Sequence, residues 1–135
     1  RTLISGNLSY PYINKNRESQ SEESIGVTED FVNFLLQDLN SVTNEGGTAH
    51  ASFSILGNKV KDVGGKTGTA QNSGDKNNTS WFVGVDSVSN PRYIIATVVE
   101  EGGSGSAIAA PVTRRVIQSL REMEITPVKF GEITE

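Results

Sequence analysis

Apolar residues at helical spacing predict an amphipathic helix in the first half of the chain. It is predicted to begin after Thr28, a good N-cap, because Glu29 and Asp30 then occupy the first turn, where the helix dipole favours anions. Gly46-Gly47 is predicted to end it. The predicted apolar stripe, which two further residues widen, consists of Phe31, Val32, Leu35, Leu36, Leu39 and Val42.

The pattern then changes to strands separated by turns, and three strands are predicted, at 59–70, 80–85 and 93–100. A Gly/Asn/Asp-rich turn at 72–78 separates the first two, and Asn90-Pro91 marks the second turn. The run at 94–99 is apolar almost throughout, which is typical of a strand buried on both faces. Two short links between three strands predict an antiparallel meander.

A last helix is predicted after 102–105, which we interpret as a flexible link. Pro111 falls in its first turn, where the N–H groups are free and proline is tolerated. The polar, Ser/Glu-rich residues 15–27 predict a solvated loop, and 124–135 a polar tail. The fold class is therefore α+β, a three-stranded antiparallel meander with amphipathic helices before and after it. The last helix is predicted to bury one stripe, made of Ile108, Val112, Val116 and Leu120.

Length and composition narrow the functions that the chain can have. Its 135 residues fit one domain, and the first residue, Arg1, is not methionine, so we expect a part of a longer protein.

The net charge of −4 and the scattered basic residues argue against nucleic acid as a partner. No apolar run approaches the ~18 residues of a membrane span. Without cysteine, disulfides and thiol catalysis are excluded. His50 is the single histidine, so the sequence offers no other histidine for a Ser-His-Asp triad. Lysine is therefore the candidate base for any acyl transfer.

The most informative segment is Gly64-Gly65-Lys66-Thr67-Gly68-Thr69-Ala70. A phosphate-binding P-loop would need a glycine where Val60 stands and a helix immediately afterwards, and neither condition is met. The other use of Lys-Thr-Gly is the active-site strand of serine acyltransferases that react with penicillin.

Strand geometry explains why each residue type in this segment suits an active-site strand. Alternation places Lys66 and Gly68 on one face and Thr67 and Thr69 on the other. A strand at the edge of a cleft can pair with an extended substrate, and a glycine permits close approach to its backbone. A cation and hydroxyls suit a carboxylate, and the Thr69 N–H could supply half of an oxyanion hole, worth ~3 kcal/mol of barrier.

Four segments in order resemble the end of the transpeptidase domain of class B penicillin-binding proteins, at 63–71, 80–84, 100–103 and 109–111. The helix around 31–42 and the turn Gly46-Gly47-Thr48-Ala49 are similar to what precedes the active-site strand in that family. The likeness runs from about residue 3 to about residue 127. It implies that residues 1–135 are the C-terminal part of a penicillin-binding/β-lactamase-like transpeptidase domain.

The family also needs a Ser-x-x-Lys nucleophile and a Ser-x-Asn relay upstream. Ser73-Gly74-Asp75-Lys76 fits the first pattern but follows the Lys-Thr-Gly segment and lies in a predicted turn. Ser5-Gly6-Asn7 fits the second, but Asn7 lies only 59 positions before Lys66 (66 − 7), fewer than the family would have. Pro11 also follows it, where a helix should run. We interpret both as chance matches, so the nucleophile is expected upstream.

The resemblance implies a parent enzyme that acylates a serine with a D-alanyl-D-alanine stem peptide and binds β-lactams as suicide substrates. Lys66 would anchor and polarise the substrate, Thr67 and Thr69 would hold its carboxylate beside Gly68, and no metal or organic cofactor is implied. The resemblance also implies an extracytoplasmic domain with an N-terminal membrane anchor outside this chain.

The chain alone is expected to be inactive. The resemblance implies that the strand at 93–100 pairs with a strand from the missing N-terminal part of the domain, so an exposed edge or apolar patch and self-association are expected. A non-catalytic β-lactam sensor and a carboxypeptidase or β-lactamase relative remain alternatives.

Overall fold

The computed structural model describes residues 7–8 and 23–123. The two-residue strands β1 (Asn7–Leu8) and β2 (Glu23–Ser24) pair antiparallel. The tail at 124–135 and the part of the predicted loop at 15–22 lie outside the described residues. Within them, no helix is both long and apolar enough to cross a bilayer. The main elements are α1 (Glu29–Ser41), α2 (His50–Phe53), a 3-10 segment (Ser54–Asp62), β3 (Val63–Ala70), β4 (Thr79–Asp86), β5 (Tyr93–Val99), a π-helical turn (Gly105–Ala109) and α3 (Ala110–Glu122).

Helix α1 begins where the sequence predicts, because the Thr28 hydroxyl accepts a hydrogen bond from the Phe31 N–H at 3.3 Å. Its buried residues are Val32 and Leu36, whereas Phe31 is 47% exposed, so the predicted stripe was centred on the wrong flank. The helix ends at Ser41 rather than at the glycine pair. The residues between them form a turn over the helix end.

The three long strands form an antiparallel sheet in the order β3-β4-β5, which confirms the predicted meander and fold class. Strand β3 starts at Val63 and not at residue 59, because the preceding residues form the kinked 3-10 segment. The Val63 carbonyl accepts hydrogen bonds from the Thr43 hydroxyl at 2.6 Å and from Asn40 Nδ2 at 2.7 Å. The end of α1 therefore fixes the start of β3.

One face of the sheet is covered by α2, the π-helical turn and α3. The rings of Phe53 and Phe82 are both fully buried and lie 5.5 Å apart. Burying a phenylalanine contributes about 2–3 kcal/mol, so this pair is a major part of the core. The buried cluster on this face consists of Ala49, Phe53, Val63, Phe82, Ala109, Ala110 and Ile117.

The predicted stripe of the last helix was wrong, because α3 buries Thr113 and Ile117. The predicted residues Ile108, Val112 and Val116 are 40–42% exposed. The π-helical turn holds more residues per turn than an α-helix, so a fixed interval of four cannot be carried through it. The Thr113 hydroxyl lies 2.7 Å from that of Thr97, which allows a polar residue to face the sheet.

Of the elements that the structure describes, α1 covers the opposite face of the sheet only at the end that carries Val85, and the rest of that face is exposed. The prediction that β5 is buried on both faces was therefore wrong, and its residues alternate between half-buried and exposed. We call the open part the uncovered face, and its exposed apolar residues are Trp81, Val83, Ile94 and Val98.

Charged groups join the far end of the sheet to α3. The fully buried Asp86 forms an ion pair with Arg121, whose Nε donates to Asp86 Oδ1 at 2.6 Å. Arg92 lies 3.5 Å from the other carboxylate oxygen. A buried carboxylate is costly unless it is paired, so these two arginines make its burial possible.

Asp62, just before β3, holds the β4–β5 turn. It accepts hydrogen bonds from the Ser87 hydroxyl at 2.7 Å and from the N–H and hydroxyl of Ser89 at 3.0 and 2.8 Å. Burial alone would raise the pKa of Asp62, but the hydrogen bonds from Ser87 and Ser89, with Arg121 nearby, leave that pKa below its ordinary value.

Because the pKa of Asp62 is lower in the folded chain, its contribution to stability is complete above about pH 4 and is lost as the pH falls further. We expect Asp62→Asn to cost about 1–2 kcal/mol at pH 7 and less at pH 3. Urea unfolding at both pH values checks this. Asp75→Asn, in the exposed β3–β4 turn, removes the same charge as a control. An equal cost of Asp62→Asn at both pH values would contradict the assignment.

Candidate functional site

Among the described residues β3 is an edge strand of the sheet, and it leaves the core along its length. Its first residues, Val63 to Gly65, are buried, whereas all residues from Lys66 onward are half-buried or exposed. The predicted site residues are therefore on an accessible edge strand. An edge strand offers unpaired backbone groups to an extended ligand.

Lys66 lies on the uncovered face, in register with Val83 of β4 and Ala96 of β5. Its side chain is exposed, and its ammonium donates to the Thr67 carbonyl at 3.0 Å. This contact keeps the positive charge close to the strand that carries the two threonines.

The Thr67 hydroxyl is in contact with a residue far away in the sequence. Its Oγ1 lies 3.4 Å from Oγ1 of Thr48, in the turn between α1 and α2, and either atom could donate. Thr67 is half-buried and Thr48 is exposed. The pair therefore lies at the surface, beside the free edge of β3.

The Thr69 hydroxyl is held from the π-helical turn. The Gly105 N–H donates to Thr69 Oγ1 at 3.3 Å. A hydroxyl has one proton and can accept two hydrogen bonds, so the Thr69 proton stays available for an outside acceptor. A cation and hydroxyl donors suit a carboxylate, but here they lie on opposite faces of β3, so they can meet one only along the edge of the strand.

Gly68 is crowded on both faces of the sheet. A Cβ atom at Gly68 would lie 3.1 Å from Cβ of its cross-strand partner Trp81. A Cβ atom at Gly105 would overlap the carbonyl oxygens of Gly68 and Trp81, so the π-helical turn packs directly on the strand backbone. A side chain at Gly68 would therefore be tight against Trp81, and its absence also leaves the strand accessible.

The segment at 102–105 is not the flexible link that we predicted. The Gly103 N–H donates to the Asn78 carbonyl at 2.7 Å. The buried Ser80 hydroxyl donates to the Ser104 carbonyl at 2.9 Å and accepts from the Ala109 N–H at 3.0 Å. These bonds fix the π-helical turn to β4 and so fix Gly105 beside Thr69.

Where the structure describes them, the short matches to Ser-x-x-Lys and Ser-x-Asn are not part of β3. Ser73 and Lys76 are exposed in the turn between β3 and β4. Ser5 lies outside the described residues, and Asn7 is in the short strand β1.

An open depression of ≈ 570 Å³ lies beside the site without containing it. It is at the end of β3, next to the β3–β4 turn, and Lys66, Thr67 and Thr69 do not contribute to it. The candidate site is therefore the edge of β3 and not this depression, whose lining is Ala70, Asn72, Ser73, Lys76, Thr79, Trp81, Val98, Glu100 and Glu101.

Sequence reasoning missed three residues that support the strand, namely Thr48, Ser80 and Gly105. The first two were read as a turn residue and a strand start. Their contacts join residues 19 to 36 positions apart, which no local pattern reveals. The available signal was that small and glycine residues cluster in 46–49 and 102–105.

The sequence matches the model of the penicillin binding protein transpeptidase domain over residues 1–118. It is 36% identical over 99 residues to "Probable peptidoglycan D,D-transpeptidase PenA" of Neisseria flavescens, which covers 66% of this chain and 24% of that protein. It is 30% identical over 92 residues to the peptidoglycan D,D-transpeptidase MrdA of Haemophilus influenzae, covering 58% of this chain and 14% of MrdA.

The fold is similar to that of Pseudomonas aeruginosa PBP2, whose structure is known in complex with WCK 5153. The TM-score is 0.66 at 26% identity, over 99% of this chain and 30% of that one. The chain thus spans less than a third of each of these proteins.

Gly105→Ala should disturb the site from outside the strand, because the new methyl group would meet the Gly68 and Trp81 carbonyls. We expect a loss of about 2–3 kcal/mol in the free energy of unfolding. Gly74→Ala is the matched control, since its φ is +73° but its Cβ would meet open space, and it should cost about 1 kcal/mol. Urea unfolding measures both. A loss for Gly105→Ala no larger than that for Gly74→Ala would show that the π-helical turn is not in close contact with the backbone of β3.

Proposed function

The chain belongs to the penicillin-binding protein transpeptidase family, and from that premise we propose that it supplies the Lys66–Thr69 wall of a serine peptidoglycan D,D-transpeptidase. The observation that carries this proposal is the accessible edge of β3, where a cation and two supported hydroxyls occupy four consecutive positions. The donor D-alanyl-D-alanine carboxylate is the ligand for these groups.

The chemistry is an acyl transfer in two steps. A serine oxygen attacks the carbonyl carbon of the penultimate D-alanine, and the terminal D-alanine leaves with a proton. The amine of a second stem peptide then attacks the ester, forms the cross-link and releases the serine. In both steps the carbonyl oxygen becomes an oxyanion, for which the Thr69 N–H on the strand edge is a donor worth ~3 kcal/mol.

Each residue of the wall then has one task. Lys66 places a positive charge near the substrate carboxylate and the reacting carbonyl. Thr67 and Thr69 donate to the carboxylate, and Gly68 keeps the strand surface flat where the donor peptide lies. β-Lactams carry a carboxylate beside a strained amide, so they fit the same wall and acylate the same serine.

The nucleophile is proposed to lie in a part of the protein outside these residues. The only Ser-x-x-Lys in the chain is Ser73 to Lys76, in the exposed turn after β3. The remaining domain would carry the serine and pack on the uncovered face. We place the domain outside the cytoplasmic membrane, with its anchor upstream.

Intact mass spectrometry after incubation with benzylpenicillin tests whether the nucleophilic serine lies outside this chain. The mass of this chain alone should not change, because it holds no activated serine. The longer protein that contains it should gain the mass of one penicillin molecule. An adduct on the isolated chain would overturn the assignment of the nucleophile to another segment.

In the longer protein, Lys66→Ala should slow acylation by roughly 100-fold or more, because it removes a charge that acts in the transition state. Ser73→Ala should leave the rate unchanged. The rate is measured with a fluorescent penicillin. Wild-type labelling of Lys66→Ala would contradict the proposed wall, and analysis of the products from stem peptides separates cross-linking from carboxypeptidase activity.

The uncovered face predicts self-association of the isolated chain. Ile94 and Val98 are 46% and 45% exposed on β5, which is the other edge strand of the sheet among the described residues. Sedimentation velocity should show the mean sedimentation coefficient rising with concentration, and Ile94→Lys should suppress this rise. Ile55→Lys is the control, because Ile55 is 75% exposed in the 3-10 segment, away from the uncovered face. This substitution should not suppress the rise of the sedimentation coefficient. A chain that is monomeric at every concentration would count against the open face.

A further inference from the structure

We propose that Thr48 is a positioning residue for the binding of the substrate carboxylate. The Thr48 hydroxyl donates its proton to Thr67 Oγ1, and the Thr67 proton is then left to point outward toward the carboxylate. The proposal rests on the proposed function, because the carboxylate is the one assigned to the β3 edge. Its basis is the 3.4 Å separation of the two Oγ1 atoms.

The direction of this hydrogen bond follows from counting protons. Each threonine hydroxyl has one proton and two acceptor sites. A carboxylate only accepts, so a threonine that holds it must use its single proton for that contact. If Thr67 donated to Thr48, it would present only lone pairs to the carboxylate and would repel it. Once the carboxylate is bound, Thr48 must therefore be the donor.

The same logic applies two residues further along the strand. The Gly105 N–H can only donate, so Thr69 Oγ1 is already an acceptor and its proton is free. Each of the two hydroxyls thus has one neighbour from a different segment. A hydroxyl that accepts a hydrogen bond becomes a better donor, so both supports strengthen the hold on an anion.

Thr48 is held in place by the residues on either side of it. A Cβ atom at Gly47 would overlap the carbonyls of Ser41 and Val42, so the turn lies directly on the end of α1. Ala49 is 1% exposed, and its N–H donates to the Val42 carbonyl at 2.9 Å. Although Thr48 itself is exposed, its backbone has little freedom to move away from Thr67.

The partner strand is fixed to the same support. Thr43 and Asn40, at the end of α1, bind the Val63 carbonyl at the start of β3. The turn that carries Thr48 and the strand that carries Thr67 are therefore both attached to one helix end. This shared attachment fixes the distance between the two hydroxyls.

The test compares acylation of the longer protein by benzylpenicillin and by its methyl ester, which lacks the anionic carboxylate. The second-order rate constants give a carboxylate-to-ester ratio for each variant. We expect Thr48→Val to lower this ratio roughly 3- to 30-fold, as expected for one hydrogen bond in a chain to a charged group. Thr48→Ser keeps the hydroxyl and should keep the ratio within about twofold.

Ser52→Ala is the matched control. It removes a hydroxyl from the neighbouring helix α2 that donates to the Ser106 carbonyl at 2.7 Å and not to Thr67. It should lower the melting temperature without changing the ratio. Thr48→Ala provides a second removal of the hydroxyl, with a smaller side chain at this exposed position.

The outcomes separate this inference from the proposed function. If the unsubstituted protein is not acylated by benzylpenicillin, the proposed function fails. If it is acylated but the ratio is unchanged in both Thr48→Val and Thr48→Ala, the positioning role of Thr48 fails while the function stands. An equal loss of rate with both compounds also overturns it, because that result shows a structural effect only.

Discussion

Close packing at three glycines, two of which lie on main-chain carbonyls, determines the arrangement of this chain. Gly47 lies on the carbonyls at the end of α1, and Gly105 lies on those of Gly68 and Trp81. A Cβ atom at Gly64 would be 2.7 Å from a methyl group of Val88 and 3.2 Å from the backbone of Leu39. At each place a helix or turn approaches more closely than any side chain would allow. At Gly47 and Gly105 the contact is with main-chain carbonyls, so side-chain rearrangement cannot relieve it, whereas at Gly64 it includes the side chains of Val88 and Leu39.

The sequence was sufficient to predict the elements whose causes are local. The cap at Thr28, the turn at 72–78 and the three-strand meander follow from neighbouring residues, and all were found. The faces of the helices were predicted less well, because burial depends on the partner. Thr113 is buried since Thr97 is opposite it, and the π-helical turn changes the phase of α3. Neither cause can be read from apolar spacing.

The candidate site shows the same division. Strand alternation and the resemblance led to Lys66, Thr67, Gly68 and Thr69 as the predicted site, and the structure places these residues on an accessible edge strand. The groups that support them, such as Thr48 and Gly105, come from segments whose approach is decided by tertiary packing. Polar residues at turns are common for many reasons, so only their distances to the strand distinguish these from ordinary turn residues.

The meander has a consequence for the order in which the chain can fold. The sheet, the π-helical turn and α3 are continuous in sequence from Val63 to Glu122, and their strand pairs are joined by short turns. Short loops cost little entropy to close, and structures rich in local contacts form quickly. The sheet, the π-helical turn and α3 therefore form one unit of contacts that are close in sequence, on which α1 packs through Leu39 at Gly64. Lys66 to Thr69 lie within this unit, whereas the hydrogen bonds at the start of β3 and at Thr67 also require the end of α1 and the turn after it.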